Sequence, residues 1–323
     1  MKAVRIHQTG PASVLLPEEI PNPTPGPGEV LVRLEAIGVN YIDVYHRTGL
    51  YRLGNLPLTL GVEGAGAVEA VGGGVTDLAA GQRVAFAGPA GAYAEKAVVP
   101  ADRLVPLPEG VSSEAAAAVL LQGLTAHYLT RSTFHLTSEH ACLVHAAAGG
   151  VGLLLCQMAR SLGARVIATT SSPEKAELAR EAGADEVILY TRSDFQTEVS
   201  RLTGGAGVDV VYDGVGQATF EGSLGCLRPR GMLVLFGQAS GPVPPFEPSV
   251  LSARGSLFLT RPSLFHYIAS RQELLDRACD VFSALRASEL SVRVSETFPL
   301  DRAAAAHETL EARRSTGKLL LRP

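Results

Sequence analysis

The chain has 323 residues, more than one hydrophobic core ordinarily serves, so two domains are expected. Its 28 basic and 32 acidic residues leave a formal net charge of −4 and are dispersed along the chain, which argues against nucleic acid or an anionic membrane as the main partner and for a small ligand. The opening MKAVRIHQTG alternates like a strand and carries no signal region, and no apolar run has the length to cross a bilayer. With no CxxC spacing, Cys142, Cys156, Cys226 and Cys279 read as buried free thiols, and a reduced, cytoplasmic setting is expected.

Residues 1 to about 121 read as short strands punctuated by Gly and Pro: VRI, EVLVRLEAIGVN, GAGAVEAVG and QRVAFAG. SSEAAAAVLLQGLTAHYLT then carries the first long helical signal, with Ser112 or Ser113 as N-cap and an interruption expected near Gly123. From Ala141 the pattern changes. Six apolar runs rich in Val, Ile and Leu (ACLVHAA, ARVIATT, DEVILY, VDVVYDGV, GMLVLFG and SLFLTR) alternate with helical segments, the pattern of a parallel sheet covered on both faces. After Arg261 come a helix, a strand, a helix and a last strand, KLLLRP, too little for an independent core and expected to rejoin the first domain. The fold class is therefore α/β, a doubly wound parallel sheet beside a mostly β domain.

Ala146-Ala147-Ala148-Gly149-Gly150-Val151-Gly152 follows a buried strand and opens an apolar helix, giving AxxGxxG. Glycines there permit a tight turn and close approach of a pyrophosphate to the helix N-terminus. The bland alternative is that small residues merely let helix and strand pack, and the five further strands in the right rhythm weigh against it. At the end of the second strand, Ala168-Thr169-Thr170-Ser171-Ser172 lacks the acid that usually accepts the ribose hydroxyl of the non-phosphorylated cofactor. The hydroxyls of Thr169, Ser171 and Ser172, with Lys175, suit a 2′-phosphate, and Tyr190 and Arg192 are placed to close the same pocket. Lys175 alone would equally be a solvated residue of a first helical turn. The missing acid favours NADPH.

The segments AIGVNYIDVYHRTGLY, GVEGAGAVEAVG, LQGLTAHYL, HAAAGGVG, VVYDGVG, LFGQASG and GSLFLTRPSL resemble, in order and spacing, those of the zinc-independent medium-chain dehydrogenases/reductases. The resemblance runs end to end and is to the bacterial NADPH:quinone reductases related to zeta-crystallin. It implies a GroES-like catalytic domain of residues 1–121 and 262–323, a Rossmann domain of residues 122–261, and a cofactor cleft between them. It places Asn40, Tyr41, Ile42, Asp43, Tyr45, Thr125 and Tyr128 around the nicotinamide, Gly149 to Gly152 at the pyrophosphate, and Ser171, Lys175 and Tyr190 near the 2′-phosphate. Val215, Phe236, Gly237, Gln238, the turn Thr260, Arg261, Pro262 and Ser263, and Arg313 or Lys318 complete the implied cofactor contacts. It also implies a homodimer through the Rossmann domain.

The zinc-dependent relatives need a Cys in the segment corresponding to AIGVN and a His in a GHE segment. Here the first has no Cys and the second reads Gly61-Val62-Glu63. Their four-cysteine lobe is replaced by AFAGPAGAYAEKAVVP, and the eight histidines show no spacing with a carboxylate or thiolate that would rebuild a tetrahedral site, so no metal is expected. Without a Lewis acid the acceptor must take hydride readily, and a quinone does so, with NADPH delivering hydride or electrons stepwise. Charge developing on the quinone oxygen needs donors. Asn40, Tyr45 and Tyr51, read as one loop, and Tyr128 are nominated, although a Tyr in a helix is more often packing. Asp43 is a proton source only if burial raises its pKa, and Glu63 orients a neighbouring loop. Two rival readings stand beside this one: an NADPH-dependent alkenal or enoyl double-bond reductase on the same fold, and an NADPH-binding structural or sensor protein, as in a lens crystallin.

Overall fold

A computed structural model describes residues 1–52 and 54–323. The chain forms two compact units, Met1–Leu124 with Ile268–Pro323, and Thr125–Tyr267. The sequence reading put the changes of unit at 121/122 and 261/262.

The first unit begins with strands β1 (Lys2–Ile6), β2 (Leu16–Glu19) and β3 (Glu29–Val39), followed by helix α1 (Tyr41–Thr48). The segment after Asn40 was expected to be a loop. It is a helix because Asn40 ends an extended strand and Asp43 returns its carboxylate to the Asn40 N–H at 2.9 Å, half of a capping box, while Gly49 closes the last turn in the left-handed conformation. Strands β4 (Leu58–Thr59), β5 (Glu63–Val71), β6 (Arg83–Ala87), β7 (Lys96–Pro100) and β8 (Leu104–Pro106) follow. Helix α2 (Ser113–Tyr128) then runs on without a break at Gly123. A Cβ at Gly123 would stand 2.8 Å from a methyl of Val281, so this glycine serves close packing and not interruption. Ser112 is the cap, its hydroxyl accepting from the Ala115 N–H at 3.1 Å.

The second unit carries β9 (Ala141–Val144), α3 (Gly150–Ser161), β10 (Arg165–Thr170), α4 (Pro173–Glu181), β11 (Glu186–Leu189), α5 (Phe195–Leu202), β12 (Val208–Asp213), α6 (Phe220–Gly225), β13 (Leu227–Leu235), α7 (Ser249–Ala253), β14 (Phe258–Thr260) and α8 (Leu264–Tyr267). Its sheet has the order β11-β10-β9-β12-β13-β14, and every pairing is parallel. Strand residues such as Leu143, Ile167, Val211 and Leu233 are fully buried, as a sheet covered on both faces requires. The chain winds outward from β9 to β10 and β11, then returns to β12 on the other side. The carboxyl ends of β9 and β12 therefore form a topological switch point, where open α/β sheets bind ligands.

The tail supplies α9 (Arg271–Arg286), β15 (Val294–Pro299), α10 (Ala303–Glu311) and β16 (Lys318–Arg322). β16 lies between β15 and β3 in the seven-stranded sheet of the first unit, pairing Leu320 with Gly38. α9 buries Leu274, Ala278, Val281 and Phe282, a stripe at helical spacing. Cys279 falls off that stripe and is exposed, correcting the expectation that all four thiols are buried; Cys142, Cys156 and Cys226 are.

Candidate active site

In the second unit β9 delivers His145 and the small-residue loop to the switch point. Ala146 has a φ of 51°, the Gly149 N–H closes on its carbonyl at 2.9 Å, and Gly149 caps α3. A Cβ at Gly152 would lie 2.5 Å from the Ala146 carbonyl oxygen and 2.7 Å from the Ala147 Cα, so only glycine lets the helix start against this strand. Gly149, Gly150 and Val151 are half-buried, and the first N–H groups of a 12-residue helix point out of its end. The cradle fits a pyrophosphate.

Behind the loop is a buried polar network whose hydrogens can be placed. Asp213 accepts from the Val215 and Gly216 N–H groups at 2.8 and 3.0 Å, from Thr219 Oγ1 at 2.7 Å and from Ser223 Oγ at 3.0 Å. Ser223 has one hydrogen and gives it to Asp213, so it accepts from His145 Nε2 at 3.0 Å. Burial holds the pKa of His145 down, keeping the ring neutral, and its Nδ1 therefore accepts from Thr169 Oγ1 at 2.9 Å. Thr169 is 1% exposed with its hydroxyl turned inward, which removes it from the set of hydroxyls suited to a phosphate.

Ser171, Ser172, Lys175 and Tyr190 are gathered at one end of the sheet. β10 pairs with β11 through Thr170 and Leu189, the Tyr190 N–H reaches the Thr170 carbonyl at 3.1 Å, and the Tyr190 ring is exposed. Ser172 caps α4, accepting from the Lys175 N–H at 3.3 Å. The Thr170 hydroxyl is buried without a partner among the described residues. The end of β10 carries no acid, but Glu174 in the first turn of α4 is a carboxylate close by, its pKa lowered by the Ser172 hydroxyl. Val215, Phe236, Gly237 and Gln238 follow the carboxyl ends of β12 and β13, and Thr260 to Ser263 those of β14, with Arg261 Nη1 on the Leu235 carbonyl at 2.9 Å. Thr125 is buried, and Tyr128 is stacked on Tyr267 at 4.2 Å and 1% exposed, the packing role weighed against its nomination as a donor.

In the first unit the nominated residues sit at and after the N-terminus of α1. Tyr41, Tyr45 and Tyr51 form an aromatic cluster, with ring centroids 5.6 Å apart for the first pair and 5.0 Å for the second; Ile42 is half-buried beside them. Asn40 is 4% exposed and its amide is fully engaged. Nδ2 donates to Glu63 Oε2 at 2.8 Å and the Gly38 carbonyl at 3.4 Å, and Oδ1 accepts from Lys318 Nζ at 2.7 Å and Gln122 Nε2 at 3.4 Å. That leaves no amide hydrogen for a quinone oxygen, so Asn40 is a positioning residue. Lys318 is likewise no open cofactor contact: it is fully buried and paired with Glu63 at 2.5 Å. Glu63 also accepts from the Leu121 N–H at 2.7 Å, tying β5 to α2. Arg313 is exposed just beyond α10.

Asp43 is completely buried, and desolvation raises its pKa to about 7 against the lowering effect of the Asn40 N–H, Lys318 and Tyr93. Tyr93 Oη lies 3.1 Å from Asp43 Oδ2 and 2.8 Å from His307 Nε2, and His307 Nδ1 lies 3.3 Å from Arg47 Nη1. Arg47 forms a two-pronged ion pair with Glu311 at 2.8 and 2.7 Å. Sequence reasoning missed Tyr93, His307, Arg47 and Gln122. Arg47 and His307 stand 260 residues apart, and no spacing signals their meeting. Among the described residues, no three His, Cys, Asp or Glu side chains gather as a metal would need.

A doubly wound parallel unit with a β-rich unit built from both chain ends is the architecture of the medium-chain dehydrogenases/reductases. Residues 26–109 match the family described as alcohol dehydrogenase GroES-like domain, and residues 150–283 the one described as zinc-binding dehydrogenase. A quinone oxidoreductase of Pseudomonas aeruginosa is 50% identical over 93% of this chain and 92% of its own. A 2-haloacrylate reductase of Burkholderia is 43% identical over 99% and 98%. The crystal structure of Escherichia coli quinone oxidoreductase complexed with NADPH superimposes with a TM-score of 0.98 at 43% identity, covering 100% of both chains. The chain belongs to the quinone oxidoreductase family of the medium-chain dehydrogenases/reductases.

Proposed function

We propose that this protein is an NADPH-dependent quinone oxidoreductase that works without a metal. The observation carrying this reading is the full-length identity to quinone oxidoreductases together with an intact phosphate cradle at Ala146–Gly152. Bound NADPH supplies the hydride. The chain's own residues bind and orient: the Gly149–Gly152 turn offers N–H groups to the pyrophosphate, and Ser171, Ser172, Lys175 and Tyr190 take the 2′-phosphate. Val215, Phe236 to Gln238 and Thr260 to Ser263 line the rest of the cofactor's path. The half-buried Tyr41 and Tyr51, packed on either side of the buried Tyr45, form an aromatic cluster of the kind a flat quinone stacks against.

Zinc independence follows from the donor set, since Ala36–Asn40 contain no Cys and Val62 stands where a zinc enzyme needs His. A homodimer is part of the proposal; β14 is an edge strand of the parallel sheet, and its Phe258 is 57% exposed. So is a cytoplasmic setting, in keeping with the free thiols of Cys142, Cys156 and Cys226. No described helix is long and apolar enough to cross a membrane.

The test is oxidation of NADPH and NADH at 340 nm by chelator-treated protein offered 1,4-benzoquinone, 9,10-phenanthrenequinone, 2-chloroacrylate or an alkenal. Fast, NADPH-selective quinone turnover is expected. Faster turnover of the alkenal or the haloacrylate would replace this reading with the double-bond reductase, and NADPH binding without turnover would leave a sensor or structural protein.

A further inference from the structure

The buried chain from Arg47 to Asp43 has only one consistent arrangement of hydrogens. Arg47 can only donate, so His307 Nδ1 accepts. Burial, with the nearby Arg47 charge, holds the His307 pKa down at about 3, so the ring is neutral and keeps its single hydrogen on Nε2. That hydrogen goes to Tyr93 Oη, and the Tyr93 hydroxyl is left to donate to Asp43 Oδ2, which also accepts from the Asn40 N–H. Asp43 Oδ1 has no hydrogen-bond partner among the described residues. One carboxyl oxygen is held by two donors while the other is buried without a partner among the described residues.

We propose that Tyr93 and His307 are positioning residues that hold Asp43 as the proton-bearing group of the reductase, its Oδ1–H proton being the one the reduced quinone takes up. This rests on the quinone reductase reading above. The balance is simple. The hydride carries both electrons to the quinone, the Asp43 O–H bond breaks as an O–H bond forms on the quinol oxygen, and a proton from water later restores the acid. Asp43 meets the N–H of Asn40, the residue before α1, and Tyr93 from the segment before β7, and it feels the charges of Lys318 from β16 and Glu63 from β5; His307 from α10 and Arg47 from α1 stand behind Tyr93. Glu63 and burial favour the neutral acid, whereas Lys318, Tyr93 and the Asn40 N–H favour the carboxylate, and the balance near 7 keeps a proton available at neutral pH. The neutral acid is the competent form, so quinone turnover falls as pH rises through that value. Removing the Tyr93 hydroxyl removes a donor to the carboxylate and moves the fall to higher pH.

Two readouts test this on the full-length enzyme. One is the ¹³C titration of selectively labelled Asp carboxyls, with the Asp43 signal assigned through Asp43→Asn. The other is kcat/KM for 1,4-benzoquinone against pH. In the wild type the Asp43 signal and the alkaline fall should share one midpoint. Tyr93→Phe and His307→Leu should raise both by about half a pH unit or more, His307→Gln should restore the wild-type midpoint, and Asp43→Asn should abolish the fall. An Asp43 signal titrating in the ordinary carboxylate range, or one indifferent to Tyr93→Phe, overturns the positioning chain. Shifted signals with a wild-type pH profile in Asp43→Asn overturn the proton role. Shifted signals in a protein that turns over no quinone support the chain and place the failure in the functional reading.

Discussion

Lys318→Met keeps the length of the side chain, deletes its ammonium and leaves the Glu63 carboxylate without a counter-charge in a site where both side chains have no exposure. Removing one partner of a buried ion pair costs about 3–5 kcal/mol, because a desolvated charge remains uncompensated. Glu63 would retain the Asn40 amide at 2.8 Å and the Leu121 N–H at 2.7 Å, which places the expected loss near the lower figure, about 3 kcal/mol. Adding Glu63→Gln removes the stranded charge while an amide oxygen still meets Leu121, and should recover about 2 kcal/mol of that loss. The chain has no tryptophan, so urea unfolding is best followed by far-UV circular dichroism, on cofactor-free protein because a ligand that binds only the folded state masks the loss. A single variant costing less than about 1 kcal/mol, or a double variant no more stable than the single, would refute the claim that this pair is a desolvated charge pair.

Gly152→Ala should lower NADPH affinity at least about tenfold by calorimetry, since the added Cβ meets backbone atoms of Ala146 and Ala147 that cannot move aside as a side chain would; an unchanged Kd would mean the cradle does not hold the pyrophosphate. Lys175→Glu should cut the NADPH-to-NADH ratio of kcat/KM by about a hundredfold, the loss of a charge-assisted contact replaced by repulsion. An unaltered ratio would assign phosphate selection to other residues.

The parallel sheet and its phosphate loop are legible in the sequence, because buried parallel strands are continuous apolar runs and the tight turn between β9 and α3 can be built only from small residues at a fixed spacing. The same local logic missed α1: its stabilising contact is the Asp43 carboxylate returning to the Asn40 N–H, a cap hidden in a run of aromatic residues. It misjudged Gly123, since whether a glycine breaks a helix or admits a neighbour depends on Val281, far along the chain. The candidate site divides the same way. Residue types near the cofactor follow from motifs, but hydrogen-bond capacity is a count over everything in reach. Asn40 looked like a donor until Lys318, Glu63, Gln122 and Gly38 were found to use its whole amide. The burial that raises the pKa of Asp43, and the Tyr93 hydroxyl that reaches it, come from parts of the chain far from it in sequence. Sequence alone thus determined the parallel strands and the cofactor loop between β9 and α3, because those depend on near neighbours. Which polar groups are spent and which remain free is decided by desolvation and by partners hundreds of residues away, and these exist only once the chain has folded.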